Sequence, residues 1–215
     1  MNISSEEIGS IRREYGDLQL DKSDLNLQPI SQFESWFSQA IKAEVNEPNA
    51  MVLATTINNS PKARYVLFKG IDDEGLVFHT HYESPKAKEI QKNNIVAGVF
   101  YWREIHRQVR IEGIAKKASK EISDNYFMSR PRGGKLSAIA SPQSQIIESR
   151  KEIEDKIDIL ENKYREQEII RPDTWGGYII QVNIWEFWQG RRNRTHDRFR
   201  YEKIDGVWNI NRLAP

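Results

Sequence analysis

The chain has no cysteine in its 215 residues. That excludes disulfides, thiol nucleophiles, and cysteine-ligated zinc or iron–sulfur centres. It has only four histidines, His79, His81, His106 and His196, and none falls in an HExxH pattern. His79 and His81 alternate along an expected strand, which is ordinary structural usage, so no metal site is expected. Net charge is also lacking: 32 basic residues stand against 31 acidic ones. A general nucleic-acid binder would show a basic excess or stripe. No window approaches the roughly 20 apolar residues needed to span a bilayer. The N-terminal stretch MNISSEEIGSIRREYGDL has neither the apolar run of a secretory signal nor the composition of a transit peptide. A soluble, cytoplasmic protein with no nucleic-acid or membrane partner is the expectation. Neither GxGxxG after a strand nor GxxxxGK[ST] is present. Any phosphate site must therefore be built from cationic side chains, hydroxyls and backbone amides.

Against these absences stands a run of elements legible from periodicity and punctuation. Residues 3–15 can form a short helix capped by Ser4 or Ser5, with a thin apolar face of Ile3, Ile8, Ile11 and Tyr15. Residues 16–29 read as an irregular linker ending in Pro29. Residues 31–44 make an amphipathic helix through Phe33, Trp36, Phe37, Ala40 and Ile41, with Ser31 as cap and Glu34 completing a capping box. Strands are expected at 50–57, 63–70 and 75–81, with turns at Asn58–Pro61 and Ile71–Glu74. A helix over 84–93 starts with Ser84 as cap and Pro85 at its first position. Strands at 94–102 and 107–117 follow, then helices at 119–130, 135–140 and 146–168, the last a charged, solvated one. Strands at 175–187, 196–203 and 206–213 complete the chain, the last two as a hairpin around Asp205-Gly206. Six to eight short strands with helices between them indicate an α+β domain built on a closed antiparallel barrel.

Four places could hold an anion. Arg64 and Lys69 share one strand at odd spacing, so on a regular strand they face opposite sides. Thr80 to Lys86 forms a strand end feeding a helix N-terminus, where Ser84 and Lys86 attract negative charge. Tyr126 and Arg130 lie four apart on one helix face, close to Arg132. The fourth is Trp185–Phe199, WEFWQGRRNRTHDRF, with two tryptophans, four arginines and one histidine. In an extended strand Arg194, His196 and Arg198 would share a face and suit an anionic, planar ligand. A basic edge strand that resists sheet-to-sheet pairing explains the same pattern. Gln108 and Gln143-Ser144 are polar residues beside apolar runs that could bond the edges of a planar ring.

Phe187-Trp188-Gln189-Gly190 followed by Arg194-Thr195-His196-Asp197-Arg198-Phe199 resembles the C-terminal signature of the pyridoxamine 5′-phosphate oxidases. Ile11-Arg12-Arg13-Glu14-Tyr15, Arg64 to Lys69, Arg107-Gln108-Val109, Tyr126-Phe127 with Ser129-Arg130-Pro131-Arg132, Gln143-Ser144, Trp175-Gly176-Gly177 and Arg212-Leu213-Ala214-Pro215 fall in that family's order. The resemblance implies a split antiparallel β-barrel with peripheral helices, forming a homodimer with FMN at the interface. It implies a lid and linker over 1–29 and an FMN-binding domain over 30–215 that carries the dimerisation and substrate-binding regions. Arg64, Lys86, Gln108, Gln143, Ser144, Trp188 and Arg198 would hold FMN. Val66, Leu67, His79 and Thr80 would contribute by position. Lys69, Tyr126 and Arg130 would bind the substrate phosphate, with Gly134 at a fourth position of that set. Arg194 and His196 would lie over the vitamin ring as the catalytic pair, and Arg12 and Tyr15 would cover the substrate.

The implied reaction oxidises pyridoxamine or pyridoxine 5′-phosphate to pyridoxal 5′-phosphate by hydride transfer from C4′ to the flavin. Dioxygen accepts the electrons and hydrogen peroxide leaves. Three positions depart from the pattern: Pro85 where the family often has arginine, His79 where it often has tyrosine, and Gly134 where it has serine. An FMN oxidase of the phenazine-biosynthesis type and a non-catalytic flavin or pyridoxal phosphate carrier are the rival readings.

Overall fold

The computed structural model describes residues 4–11, 14–72 and 75–215. Eight strands form one sheet in the order β3-β2-β1-β4-β5-β6-β7-β8, and an additional β3–β6 pairing closes the first six into an antiparallel barrel. The chain divides into two compact units: Met1–Pro48, Val99–Ile111 and Ile184–Pro215 form the first, and Asn49–Gly98 and Glu112–Asn183 the second.

In the second unit β1 (Ala50–Ile57), β2 (Ser60–Asp72) and β3 (Gly75–His81) make an antiparallel meander. Asn58 and Asn59 both have positive φ, 50° and 58°, between the paired Ile57 and Ser60. That is the two-residue turn whose twist matches a hairpin, and asparagine tolerates it. β2 is longer than the 63–70 expected, because this tight turn lets pairing begin at Ser60. Its register with β3 slips between Phe68 and Gly70. Lys69 is thus the extra residue of a bulge, a device that re-aims a side chain. The sequence offered no sign of the bulge except Gly70. Residues 73 and 74 of the expected turn lie outside the described residues.

Helix α3 (Pro85–Lys92) starts as expected: the Ser84 hydroxyl accepts from the Ala87 amide. α4 (Lys120–Ser129) is capped by Ser119, whose hydroxyl accepts from Ile122. α5 (Arg132–Ala140) begins three residues earlier than expected, since Pro131 sits just ahead of the first turn, where its missing amide costs nothing. α6 (Arg150–Lys163) is shorter than 146–168. Its exposed face carries the pairs Arg150–Glu154, Lys151–Asp155 and Glu152–Lys156, which solvent screens to a small contribution. Phe127, Leu136, Ala138, Ile169 and Trp175 form one buried cluster that joins α4, α5 and the start of β6 (Trp175–Gln189).

In the first unit α1 spans only Ser5–Ser10, with a reciprocal Ser4–Glu7 capping box. It ends at Ile11 in an extended conformation and buries no residue, so the thin apolar face does not carry the helix to residue 15. α2 (Pro29–Lys42) begins at Pro29 rather than after Ser31. Proline at the first helical position supplies the preset φ, and no side chain caps this helix. Phe33 is fully buried. Its ring centroid lies 5.1 Å from Phe100 on β4 (Ile95–Trp102) and 5.5 Å from Trp185 on β6. Trp36 meets Phe187 edge to face at 5.2 Å.

Arg107 opens β5 (Arg107–Lys117) and is buried without a carboxylate. Its guanidinium donates to Gln189 and Gln39, each at 2.8 Å, and lies 4.3 Å over Trp36. Burial lowers its pKa to about 10, which leaves it charged at neutral pH. β7 (Asp197–Ile204) and β8 (Val207–Leu213) form the expected hairpin, with Asp205 and Gly206 both at positive φ.

Phe33 is the side chain on which these aromatic contacts converge. Phe33→Ala is expected to lower unfolding free energy by about 3–5 kcal/mol, read by chemical denaturation at matched protein concentration.

Candidate functional site

The expected site residues fall into two groups, one in each unit. In the second unit a cavity of about 210 Å³ lies against β2, β3 and α4, lined by Leu67, Lys69, His79, Thr80, Tyr126, Arg130, Gln143 and Trp175. Its wall is a set of near-parallel rings. His79 stacks on Tyr126 at 4.0 Å and on Trp175 at 5.3 Å, with interplanar angles of 22° and 15°. The bulge places the Lys69 ammonium 5.7 Å from the Tyr126 ring centre. Arg130 lies just past the end of α4, 5.0 Å over Trp175. It does not serve the helix carbonyls; its Nη1 is buried with no hydrogen-bond partner. Both ring nitrogens of His79 are in the same condition.

Burial drives the His79 pKa down to about 4. The positive charges of Arg130, Lys69 and Arg171 add to that, and the Ile122 backbone opposes it. Burial also lowers the pKa of Arg130.

Beside this cavity the start of α3 gathers a polar cluster. Lys86 Nζ donates to Thr80 Oγ1 at 3.1 Å and to Gln143 Oε1 at 3.3 Å, and the Thr80 hydroxyl donates to the same Gln143 oxygen at 2.8 Å. Burial, and then the nearby Arg64 charge, lowers the Lys86 pKa, while Glu89 opposes the shift. Arg64 donates to Glu89 at 2.6 Å and to Thr55, and the Thr55 hydroxyl donates to Glu89. Neither Thr55 nor Glu89 was singled out in the sequence; an acid in the otherwise basic helix 84–93 was the available signal. Val66 is buried in β2, Leu67 is exposed, and Ser144 is exposed in the left-handed region.

In the first unit β6 ends at Gln189 and the chain turns over Gly190–His196. Asn193 and Arg194 have φ of 54° and 61°, and β7 starts only at Asp197. Arg194, His196 and Arg198 are therefore not three positions of one strand, and the shared-face expectation fails. Arg194 is exposed on the turn. The His196 ring packs against Trp188 at 4.6 Å, and its Nδ1 accepts the Arg191 amide at 3.1 Å. Burial lowers its pKa, helped by Arg194 and Arg198 and opposed by Asp197.

Tyr15 stands edge-on to His106, Trp188 and His196 at 5.1, 5.5 and 5.4 Å. Gly190 makes that assembly possible. A Cβ there would lie 3.0 Å from both Tyr15 and His106 and 3.1 Å from Trp188. Arg198 donates to the buried Glu186 at 2.9 Å and to the Ala214 carbonyl at 2.8 Å. Gln108 is half-buried on β5. Arg12 lies outside the described residues. His106, Glu186 and Asp197 carry structure around this group and had no assigned role in the sequence.

A larger cavity, about 380 Å³, is lined by Lys120, Asp124, Glu168, Arg171 and neighbours. It includes none of the expected site residues, and Arg171 is already paired with Asp124 at 2.6 Å. No cluster of three or more histidine, aspartate or glutamate side chains able to hold a metal occurs among the described residues. No helix among them is long and apolar enough to cross a membrane.

A depressed histidine pKa has a definite sign in stability. The folded chain keeps His79 neutral down to about pH 4, while the unfolded chain takes up a proton near pH 6.5. His79 therefore costs stability as pH falls from about 6.5 toward 4, and no further below. The stability difference between wild type and His79→Phe is expected to shift toward the variant by roughly 1–3 kcal/mol across that window, after allowing for partial exposure. Urea denaturation of both proteins at several pH values measures it.

Two family models match the chain. Residues 37–164 match "Pyridoxamine 5'-phosphate oxidase", and residues 175–215 match "Pyridoxine 5'-phosphate oxidase C-terminal dimerisation region". A pyridoxine/pyridoxamine 5′-phosphate oxidase of Crocosphaera subtropica is 48% identical over 97% of this chain and 100% of its own length. One of Salinibacter ruber is 46% identical over 97% and 99%. Among solved structures, PhzG from Burkholderia lata 383, in complex with tetrahydrophenazine-1-carboxylic acid, has a TM-score of 0.88 at 29% identity. The match covers 94% of this chain and all of that one. An FMN-binding, pyridoxamine 5′-phosphate oxidase-related protein from Nostoc punctiforme has a TM-score of 0.70 at 17% identity, covering 89% and 100%, and shares the fold.

Proposed function

The chain belongs to the pyridoxamine 5′-phosphate oxidase family, and from that premise we propose that it oxidises pyridoxamine 5′-phosphate or pyridoxine 5′-phosphate to pyridoxal 5′-phosphate, with FMN as cofactor and dioxygen as acceptor. The observation that carries the reading is the second-unit cavity. There a flat aromatic wall meets two cations, Lys69 and Arg130, and Arg130 keeps a buried donor without a partner. An unpaired buried donor costs about 1–3 kcal/mol, and a phosphate oxygen would satisfy it. On this reading Lys69, Tyr126 and Arg130 bind the substrate phosphate.

The residues present suit FMN as well. The Arg64 charge disfavours that of Lys86, and Glu89, which pairs with Arg64, offsets this only in part. A phosphate there would relieve the excess. Arg64, Lys86, Thr80, Gln143 and Ser144, with Val66 and Leu67 as neighbours, are proposed cofactor contacts, as are Gln108, Trp188 and Arg198. Bound flavin supplies the two-electron acceptor and its reoxidation by dioxygen, giving hydrogen peroxide.

The protein's part is to bind and orient. Arg194 would place a guanidinium over the vitamin ring. His196 accepts the Arg191 amide at Nδ1, so its neutral ring carries the proton on Nε2. It can donate a hydrogen bond to substrate from that atom. Taking a proton would break the Nδ1 bond, which favours an orienting role over a basic one. Arg12 and Tyr15 would cover the substrate, the segment 1–29 acting as lid and linker to the domain 30–215. The match to a dimerisation region supports a homodimer, with FMN proposed at its interface.

The phenazine-type reading draws on the fold match to PhzG. The joint presence of Lys69, Tyr126, Arg130, Arg194 and His196 favours the vitamin phosphates over it.

The purified protein is expected to be yellow and to release peroxide with either vitamin phosphate in a coupled assay. Bound flavin with no turnover of either substrate would overturn the proposal. Arg194→Ala is expected to lower kcat/KM about 10- to 150-fold, the value of one charged hydrogen bond, while retaining FMN. Parallel loss of flavin would show that Arg194 serves the cofactor instead.

A further inference from the structure

We propose that His79 is a substrate-phosphate contact in this protein, and that the free edge of its neutral imidazole replaces the hydrogen bond that Gly134 has no side chain to make. The inference rests on the reading that Lys69, Tyr126 and Arg130 hold the substrate phosphate. It moves His79 from the cofactor to the substrate.

Three buried polar atoms without partners belong to residues lining this one cavity: both ring nitrogens of His79 and Arg130 Nη1. Their residues flank the same ring wall, His79 stacking on Trp175 and Arg130 lying over it. Protein interiors seldom leave such atoms unpaired, and a cluster of them marks where a polar ligand belongs. The Nε2–Cδ2 edge of His79 is packed against Gly177, where an added Cβ would lie 3.2 Å from Nε2. The Nδ1 edge therefore turns the other way. A neutral imidazole can donate from that nitrogen, and the pKa of about 4 keeps the ring neutral at working pH. A charged ring beside Lys69, Arg130 and Arg171 would be repelled; a neutral donor is not.

Gly134 lies near the start of α5, and the nearest atoms to an added Cβ would be Arg130 Nε and Nη2, both at 3.6 Å. A serine would fit there in ordinary contact, with its hydroxyl close to the guanidinium. The space is present and the donor is missing. Ser137, one turn on, is exposed and is not among the residues lining the cavity. His79, like Arg130, is a cavity side chain with hydrogen-bonding capacity to spare: its nitrogens lie near the Ile122 backbone but make no hydrogen bond of normal geometry.

The test uses the full-length, FMN-loaded protein. Dissociation constants for pyridoxal 5′-phosphate and for inorganic phosphate are measured by calorimetry on wild type, His79→Phe, Gly134→Ser and the double variant. Phenylalanine keeps the ring stack and removes the donor. His79→Phe should weaken both ligands about 10- to 150-fold, the value of one hydrogen bond to a charged group. FMN affinity, read by flavin fluorescence, should change less than twofold. Adding Gly134→Ser to His79→Phe should restore most of the loss, whereas the same change in wild type should gain little.

Unchanged phosphate affinity in His79→Phe, or loss of FMN in its place, would overturn the assignment, as would failure of the serine to rescue. As a check free of variants, inorganic phosphate titrated into wild type should shift the imidazole ¹⁵N resonances of His79, and their constancy would also overturn it. Failure of the underlying reading looks different: wild type itself would neither bind pyridoxal 5′-phosphate nor turn over the vitamin phosphates.

Discussion

The turn that carries Arg194 and His196 in the first unit depends on one carboxylate. Asp197 accepts the Leu20 amide at 3.1 Å, the Arg191 guanidinium at 3.0 Å and the Arg212 guanidinium at 2.7 Å. Those partners come from the segment before α2, from the turn after β6, and from β8. Arg212 continues the network to Asp21 at 2.6 Å. A mostly buried carboxylate is costly unless its lone pairs are filled, and here three donors fill them. The consequence is geometric. With Arg191 held on one side and Asp197 starting β7 on the other, the five-residue excursion between them has little freedom. The Arg191 amide then meets His196 Nδ1, and the left-handed Asn193 and Arg194 become tolerable because both ends of the turn are anchored.

A different balance governs the cavity of the second unit, whose lining carries Lys69 and Arg130 and no acid. Arg64 has Glu89, and Arg171 has Asp124. Lys86 makes do with a hydroxyl and an amide oxygen, and Arg130 with the face of Trp175. Burial first, and then the nearby Arg64 charge, disfavours the charged form of Lys86 and lowers its pKa. Arg107 in the first unit shows the contrasting solution. It too lacks a carboxylate, yet two amide oxygens and Trp36 enclose it. Arg107 is a finished structural contact, whereas Lys86 is met only by neutral oxygens and Arg130 keeps a donor without a partner, which is the state the proposed phosphate ligands would complete.

How much of this was legible depended on whether the controlling physics was local. The Ser84 cap with Pro85 behind it, the Ser119 cap, and the Asp205-Gly206 turn are decided within a few residues, and all lie where the sequence indicated. The eight strands and the barrel class followed from the same punctuation. Non-local choices were misread. Ser31 looked like a cap, but Pro29 starts α2 once its aromatic face packs on Phe100 and Trp185. The period-two spacing of Arg194, His196 and Arg198 looked like a strand, yet the Asp197 network holds 190–196 in a turn. The bulge at Lys69 depends on how β3 registers against β2, which no spacing along β2 reveals. Glu89 and Thr55 were missed because their role exists only once α3 stands against β1 and β2.

The three departures from the family pattern are physically unequal. Pro85 removes a cationic side chain but occupies the one helical position where proline is favourable. α3 keeps its Ser84 cap and Lys86 still points into the polar cluster, so the change subtracts a charge from a region already rich in it. Gly134 subtracts a hydroxyl beside Arg130 and leaves ordinary contact space behind. His79 does not only subtract. It keeps a flat ring stacked at 4.0 Å on Tyr126 and adds nitrogens that, though near the Ile122 backbone, make no hydrogen bond of normal geometry. In a cavity where positive charge is already in excess, a neutral donor is the one kind of polar group that can be added without more repulsion. An imidazole held near pKa 4 meets that condition where a further lysine or arginine would not.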